Sequence, residues 1–491
     1  MDSKKGGSFK LINRKLYLSR NVRYFLFFIL STTDALINLS TGLLSSASKV
    51  IKKSLDMSDK DFGMLGTTNS IGRVIGCAIY SAINQQINNK YILVVDLGLK
   101  ALCLSMFKVT SNKYIITLCR GMIGLLHMIP TIYIPIWINQ FGIKNRKNEL
   151  MASIPLIQNI GRCLGYLAHV IVGDDNWKDG FLIEAAVLII YTIILFCSSN
   201  DYFSSSIIRV ETSEDTSDDR TKSLKSTFAD TETSLDPKRK SDDENKTNKG
   251  NYFTDLYEMF SAPVFVLSMI SRCILHGLNT GVHFWFADYM RNVLHEENSG
   301  FIFVAYTAVC LAGPAGGLIG NYLFKPCIGG YDNKQSSWAV VILHLCSCVA
   351  GVGISFMPNV AGFLTAEVIY LIFNSIALPI VQGILITSVD QRLSTTGLSL
   401  CNALTQIIAS GPATLVYGII NDKFKDRYPS LAMFCLMFIL VLALPLMCLM
   451  AYLRNRVFDE KEKAENKEML VNKEGEELKE VLDDFIKKQK V

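Results

Sequence analysis

Residues 209–248 read RVETSEDTSDDRTKSLKSTFADTETSLDPKRKSDDENKTN, a run of Ser, Thr and charged side chains with almost nothing apolar in it. Such a segment buries too little surface to offset the entropy of ordering it, and disorder is expected over 198–252. It interrupts a chain that is otherwise a series of apolar runs. A membrane-spanning helix needs about 20 consecutive, mostly apolar residues. Runs of that kind fall before the break at 24–47, 61–83, 91–108, 114–139, 150–173 and 181–197. After it they fall at 261–290, 300–324, 337–357, 361–388, 397–420 and 431–453. Six and six around a hydrophilic centre predict an all-α membrane protein with twelve transmembrane helices in two six-helix bundles. The expected organisation is an N-terminal tail (1–23), a first bundle (24–197), a linker (198–260), a second bundle (261–453) and a C-terminal tail (454–491).

Composition supports this reading. Half of the 491 residues are hydrophobic and 19% are charged, which is unusual for a soluble domain. The charges crowd into 1–23, 198–255 and 454–491. Residues 1–23 lack a short apolar core followed by a small-residue cleavage site, so the first apolar run reads as a retained helix. The tail at 454–491, with Leu470, Leu478, Val481, Leu482 and Phe485, reads as one short amphipathic helix. A net charge of +5 spread over two membrane faces makes no nucleic-acid site. The thirteen cysteines sit mainly in apolar runs without CxxC spacing, which argues against a disulfide framework or a zinc site. Residues 1–23 hold seven Lys/Arg against the single acidic Asp2, placing the N-terminus in the cytosol. Lys144, Arg146 and Lys147 agree, whereas Lys49, Lys52 and Lys53 oppose. With an even number of spans, both termini and the linker are cytosolic, so the sequon at Asn245 carries no meaning.

Polar residues inside the apolar runs are the functional signal, because a charge in hydrocarbon costs at least about 2.5–3.5 kcal/mol. Asp34, Asn38, Thr41 and Ser45 recur at helical spacing in the first run. Arg120, Gly124, His127 and Thr131 do so in the fourth, and Arg272, His276, Asn279 and His283 in the seventh. Glu367, Tyr370 and Asn374 do so in the tenth. Each set forms one stripe along its helix. The four helices are the first and fourth of each half, and their stripes are expected to face a central cavity. Interhelical hydrogen bonding is the plainer account of any single stripe. Asp96 and Lys100 can neutralise each other at i,i+4. Arg73, Arg162 and Glu184 are assigned to supporting helices, and Gly72, Gly76, Gly161, Gly165, Gly313, Gly316, Gly317 and Gly320 to close helix approach. Two corresponding turns, Lys147-x4-Ala152-Ser153 and Arg392-x4-Gly397-Leu398-Ser399, support an internal repeat of six helices.

The stretch Cys119-Arg120-Gly121-Met122-Ile123-Gly124 resembles the RxxxG signature of the major facilitator superfamily. Ile160-Gly161-Arg162-Cys163-Leu164-Gly165-Tyr166 resembles the fifth helix of its spinster branch. Phe284-Trp285-Phe286-Ala287, Asp390-Gln391-Arg392-Leu393-Ser394-Thr395 and Gly418-Ile419-Ile420-Asn421-Asp422 extend the likeness over 25–453. The resemblance implies a major facilitator fold and transport of lysophospholipids, sphingoid phosphates or related amphiphiles, often with proton coupling. The chain departs from the pattern at Gln85 and Gln86, where the loop after the second helix normally carries Asp and Arg. Only Asn88 and Lys90-Tyr91 keep that pattern. His127 stands where the family has an acid, and Asp34 matches the first-helix acid only with a shift of register.

The chemistry expected of these residues is a coupling site. Arg120 can hold a carboxylate, a phosphate or Asp34, and His127, about 10.5 Å further along the same face, can change charge near neutral pH. A relay between Asp34 and His127, with substrate competing for Arg120, follows as an expectation. Arg272, His276, Asn279, Glu367 and Asn374 form the second half's share, with Trp285 and Phe373 as apolar surface. His283 and His344 read as packing residues, and Glu367 stands evenly between a cavity role and a lock to an arginine. No catalytic residue, metal ligand or cofactor is expected: HExxH, Gly-x-Ser-x-Gly and Gly-Lys-Ser/Thr motifs are missing from the sequence. The expected partners are the lipid bilayer, a small-molecule or lysolipid substrate and protons, with the chain a monomer in the plasma membrane or an endolysosomal or vacuolar one. Competing readings are transport of organic anions, drugs or amino acids, and a receptor or scaffold without flux.

Overall fold

The computed structural model describes residues 20–83, 87–141, 147–203, 252–328 and 333–489. The charged stretch that opened the sequence reading, the tail before Arg20, and Gln85, Gln86, Lys144 and Arg146 lie outside the described residues. The described residues form two compact units, those within 20–57 and 64–255 and those within 58–63 and 256–489.

The first unit holds α1 (Arg20–Ser46), a short α2 (Ser48–Ser54), most of α3 (Asp59–Ile83), α4 (Asn89–Val109), α5 (Lys113–Phe141), α6 (Lys147–Val172) and α7 (Trp177–Cys197). The Asn88 side chain caps α4 by accepting from the Lys90 amide, satisfying one of the donors a helix start leaves over. A 3-10 turn at Asn200–Phe203 closes the unit beneath α5. The Trp137 indole donates to the Tyr202 carbonyl at 3.0 Å and the Tyr133 hydroxyl to the Phe203 carbonyl at 3.3 Å. Asn88 and Tyr91, which keep the loop pattern read from the sequence, are bonded to Asn200.

The second unit holds α8 (Tyr252–Ser261), α9 (Pro263–Asn292), α10 (Ser299–Ile328), α11 (Lys334–Ile354), α12 (Val360–Thr387), α13 (Gln391–Leu404), a π-helical turn (Thr405–Ser410), α14 (Gly411–Phe424) and α15 (Leu431–Gln489). Asn333 and Asn359 cap α11 and α12, and Pro263 opens α9, where its missing N–H costs nothing. The first turn of α3 also belongs to this unit. The Asp59 and Lys60 amides donate to the two oxygens of Asp422 at 2.7 and 2.8 Å, while Asn421 and Lys425 donate to Asp59.

Several elements differ from the sequence reading. The short α2 was not read, and the 3-10 turn at Asn200–Phe203 lies in the stretch expected to be disordered. Residues 252–260 of the stretch read as linker belong to α8, because Met259 is buried in a cluster with Phe265, Met269 and Leu393. The C-terminal tail is not a separate short helix but the continuation of α15. Neither Gly nor Pro interrupts 446–474, and the chain beyond the span is tied down. Lys334 pairs with Asp459 and Glu462, each at 2.6 Å, and Arg454 donates to the hydroxyls of Ser336 and Ser337.

Six rods of span length (α1, α3, α4, α5, α6, α7) and six more (α9, α10, α11, α12, α13 with α14, α15) therefore make up the helical framework. Among the described residues nine are also apolar enough to cross a membrane. The exceptions are α3, α4 and α6, all of them carrying charges: Arg73, the Asp96–Lys100 pair and Arg162. On α7 the reverse holds, and Ile183, Ile190, Ile193 and Phe196 are each more than half exposed, as a face turned to lipid requires.

The polar rods need close approach, and glycine supplies it. A Cβ at Gly161 would sit 2.1 Å from the Ala35 carbonyl oxygen of α1, and one at Gly165 would sit 2.2 Å from that of Leu39. Gly98 on α4 has nothing within 4 Å of the same point. Gly161→Ala is accordingly expected to destabilise the protein by about 1–3 kcal/mol, as overpacking does, with Gly98→Ala close to neutral. Thermal unfolding of the purified variants in detergent checks the difference.

Candidate functional site

In the first unit the two polar stripes are both buried. Asp34, Asn38, Arg120 and His127 are exposed by 5% or less. Asn38 donates back to the Asp34 carbonyl at 2.9 Å, and Thr131 to the His127 carbonyl at 2.9 Å, so both satisfy their own helices. Arg120 reaches from α5 to α1. Its two terminal nitrogens donate to the hydroxyls of Ser40 (3.5 Å) and Thr41 (3.1 Å), not to Asp34. Neither Asp34 oxygen has a donor in good hydrogen-bond geometry, although the Gln158 amide of α6 stands beside it.

The residues read from sequence as supporting belong to the same interior. Lys100 donates to Asp96 at 2.8 Å and to the Leu126 carbonyl at 2.9 Å, with both side chains exposed by 1% or less. Its field extends to Asp34 and Glu184. Glu184 on α7 acts electrostatically on Arg120, and the Ser40 hydroxyl that accepts from Arg120 donates to the Ile37 carbonyl at 3.3 Å. Arg73 and Arg162 act electrostatically on Asp34, and with Lys100 and Arg120 on His127. Arg162 donates to the Asn159 amide oxygen at 3.0 Å.

The bundle interior thus holds the cations Arg73, Lys100, Arg120 and Arg162 against the acids Asp34, Asp96 and Glu184. The sequence signal that could have joined them was their shared burial depth, which helical periodicity does not report. A second cluster also went unread: His169 near the end of α6 lies between the Ser46 hydroxyl at 2.8 Å and Asp174 at 3.1 Å.

In the second unit the stripes meet different surroundings. Arg272 is half-buried and donates to the Cys401 sulfur at 3.4 Å. Asn279 keeps a buried, unpartnered amide oxygen, and His276 accepts from Thr280 through its carbonyl. Glu367 is fully buried, and among the described residues neither of its oxygens has a hydrogen-bond partner and no arginine locks it. Asn374, seven residues on, donates weakly to the Leu275 carbonyl at 3.5 Å. Trp285 is enclosed: its indole donates to the Thr414 carbonyl and its ring stacks on Tyr417 with centroids 4.5 Å apart. His344 bonds the Leu440 carbonyl at 2.9 Å, and His283 lies edge-on to Tyr306. Among the described residues no group of three or more His, Cys, Asp or Glu side chains could hold a metal ion.

A bundle whose interior is charged and whose outside is apolar suits the passage of a polar group through a membrane, and known proteins resemble this chain in sequence and fold. A probable sphingolipid transporter of Arabidopsis thaliana, spinster homolog 1, is 19% identical over 383 residues, covering 78% of this chain and 76% of its own. Among solved structures, a bacterial homolog of the human lysosomal transporter Spinster, inward-facing and unoccupied, superposes with a TM-score of 0.69 at 13% identity. It covers 89% of this chain and 98% of its own. A D-xylose–proton symporter superposes with a TM-score of 0.61 at 12% identity, over 86% and 97% of the two chains. The profile of the Major Facilitator Superfamily matches residues 30–412. With that match and twelve helical rods in two units, the chain belongs to the Major Facilitator Superfamily, as a multi-pass integral membrane transporter.

Proposed function

We propose that this protein is a secondary active transporter of an amphiphile with an anionic head, working by alternating access and coupled to protons through its first bundle. The functional halves are taken as residues 24–197 and 261–453, joined by 198–260. The observation that carries the proposal is the state of Arg120. It is fully buried, yet two of its donors go to neutral hydroxyls, its Nε has no partner among the described residues, and the acid that acts on it, Glu184, does so through its field. A guanidinium held in this way can exchange a hydroxyl for a phosphate or carboxylate at little cost, gaining a charge-assisted bidentate pair.

Asp34 and His127 are the proposed proton carriers. Both lie within the fields of Arg73, Lys100 and Arg162, and His127 also within that of Arg120, so an anion arriving at Arg120 changes the charge balance that His127 experiences. An amphiphilic cargo is favoured by the spinster relatives, one of which is described as a probable sphingolipid transporter. Glu367, Asn374, Arg272, His276, Asn279 and Trp285 are the second bundle's proposed contribution.

The test is flux into proteoliposomes with and without an imposed pH gradient, using labelled lysolipids, sugars, amino acids and organic anions. Gradient-driven accumulation of an anionic lysolipid is expected, and it should fall to the level of passive exchange in Asp34→Asn and His127→Ala. Full gradient dependence in both variants would rule out the relay. Accumulation of sugars or amino acids with no lysolipid flux would rule out the cargo.

A further inference from the structure

Two thiols meet inside the second unit. Cys273 on α9 and Cys401 on α13 are exposed by 4% and 0% and lie in one buried cluster, close enough to act on each other electrostatically. Arg272 donates to the Cys401 sulfur at 3.4 Å, and the Cys273 sulfur lies 3.3 Å from the Thr405 hydroxyl. Thr405 in turn donates to the Cys401 carbonyl at 2.7 Å and is the first residue of the π-helical turn. Around them pack Met259, Phe265, Met269 and Leu393.

A cysteine that only fills space needs neither a partner thiol nor a cation. Here a guanidinium has been brought to an apolar cluster, and among the described residues the Cys401 sulfur is the side-chain acceptor it reaches. A cation beside a thiol favours the thiolate, which is the nucleophilic form. The molecule contains its own comparison. Cys103 on α4 and Cys119 on α5 also act on each other electrostatically, but no arginine donates to either sulfur among the described residues.

We propose that Cys273 and Cys401 form a redox-active dithiol, oxidised by a hydroperoxide to a disulfide that staples α9 to α13. The Cys401 thiolate attacks one peroxide oxygen, the O–O bond breaks, and the leaving oxygen departs as water after taking up a proton, giving a sulfenic acid. The Cys273 thiol then attacks that sulfur. The S–S bond forms, the S–O bond breaks, and hydroxide leaves with the Cys273 proton as a second water. Two thiols lose two electrons, and one hydrogen peroxide is reduced to two waters. The staple would fix the helix immediately before the π turn. Segments of that kind break the regular backbone ladder and often mark places where a helix works.

The experiment uses the full-length protein in proteoliposomes, exposed to graded hydrogen peroxide, then alkylated, digested and mapped by mass spectrometry. The peptides containing Cys273 and Cys401 are expected to be joined, with dithiothreitol separating them. Joining should be at least about tenfold faster than at Cys103 and Cys119, and Arg272→Gln should slow it by a similar factor. Failure of the two peptides to join, joining at the rate of the other pair, or a rate unaffected by Arg272→Gln would each overturn the proposal. Mapping of the unsubstituted protein needs no variant to fold. Reversible loss of flux on oxidation rests on the transport reading, whereas the disulfide does not, so the two can fail separately.

Discussion

Removal of the Asp96 carboxylate, in Asp96→Ala, is expected to destabilise the protein by about 3–5 kcal/mol, with Lys100→Met in the same chain recovering most of the loss. The asymmetry follows from burial. Lys100 is 1% exposed, and besides Asp96 its ammonium bonds, among the described residues, the Leu126 carbonyl. Without the carboxylate a cation stays in the bundle interior with one neutral acceptor. Removing both charges leaves a methionine of similar length and no unpaired ion, and such exchanges of a buried pair are often near neutral. Urea or thermal unfolding of the single and double variants in detergent provides the cycle. Equal losses in the single and double variants would mean that Lys100 is held by its neighbours rather than by Asp96. The field of Lys100 on Asp34 and Glu184 adds a functional consequence: the stable double variant should lose gradient-driven flux while keeping its fold.

Arg120→Ala carries the other large effect. Hydrogen bonds to a charged group contribute about 1.5–3 kcal/mol, so affinity for a single-chain phospholipid with an anionic head should fall roughly 10- to 150-fold. A zwitterionic analogue, whose head brings its own cation, should lose far less. Arg120→Lys is the discriminating variant, since it keeps the charge but lacks the planar fork that spans Ser40 and Thr41. It should bind the anionic head with intermediate affinity. Titration of both lipids into the purified variants checks this, and equal losses for the two lipids would remove Arg120 from head-group recognition.

Both predictions depend on residues that the sequence marked with unequal success. Arg120 stood out because a charge on a stripe with His127 has an evident periodicity. Asp96 and Lys100 were readable as a pair because i,i+4 neighbours share a helix face, and the structure has them 2.8 Å apart. Their connection to Asp34 and Glu184 was not readable, since it runs between helices and no local pattern encodes which faces meet. Arg73, Arg162 and Glu184 were assigned to supporting roles for the same reason: each is an isolated charge midway along its helix and a member of a cluster only across the bundle.

The helices themselves were determined by the sequence alone. Their number and type follow from runs of apolar side chains long enough to cross hydrocarbon, where a backbone must satisfy its own hydrogen bonds. The break at 209–248 and the asparagine caps at 88, 333 and 359 are local in the same sense. What surrounds each polar side chain was decided only by the tertiary structure. Arg120 met Ser40 and Thr41 instead of Asp34, Arg272 met Cys401, and Trp285 was enclosed against Tyr417. The physical reason is that burying a charge or a dipole is settled by its neighbours, and in a helical bundle those neighbours come from other helices.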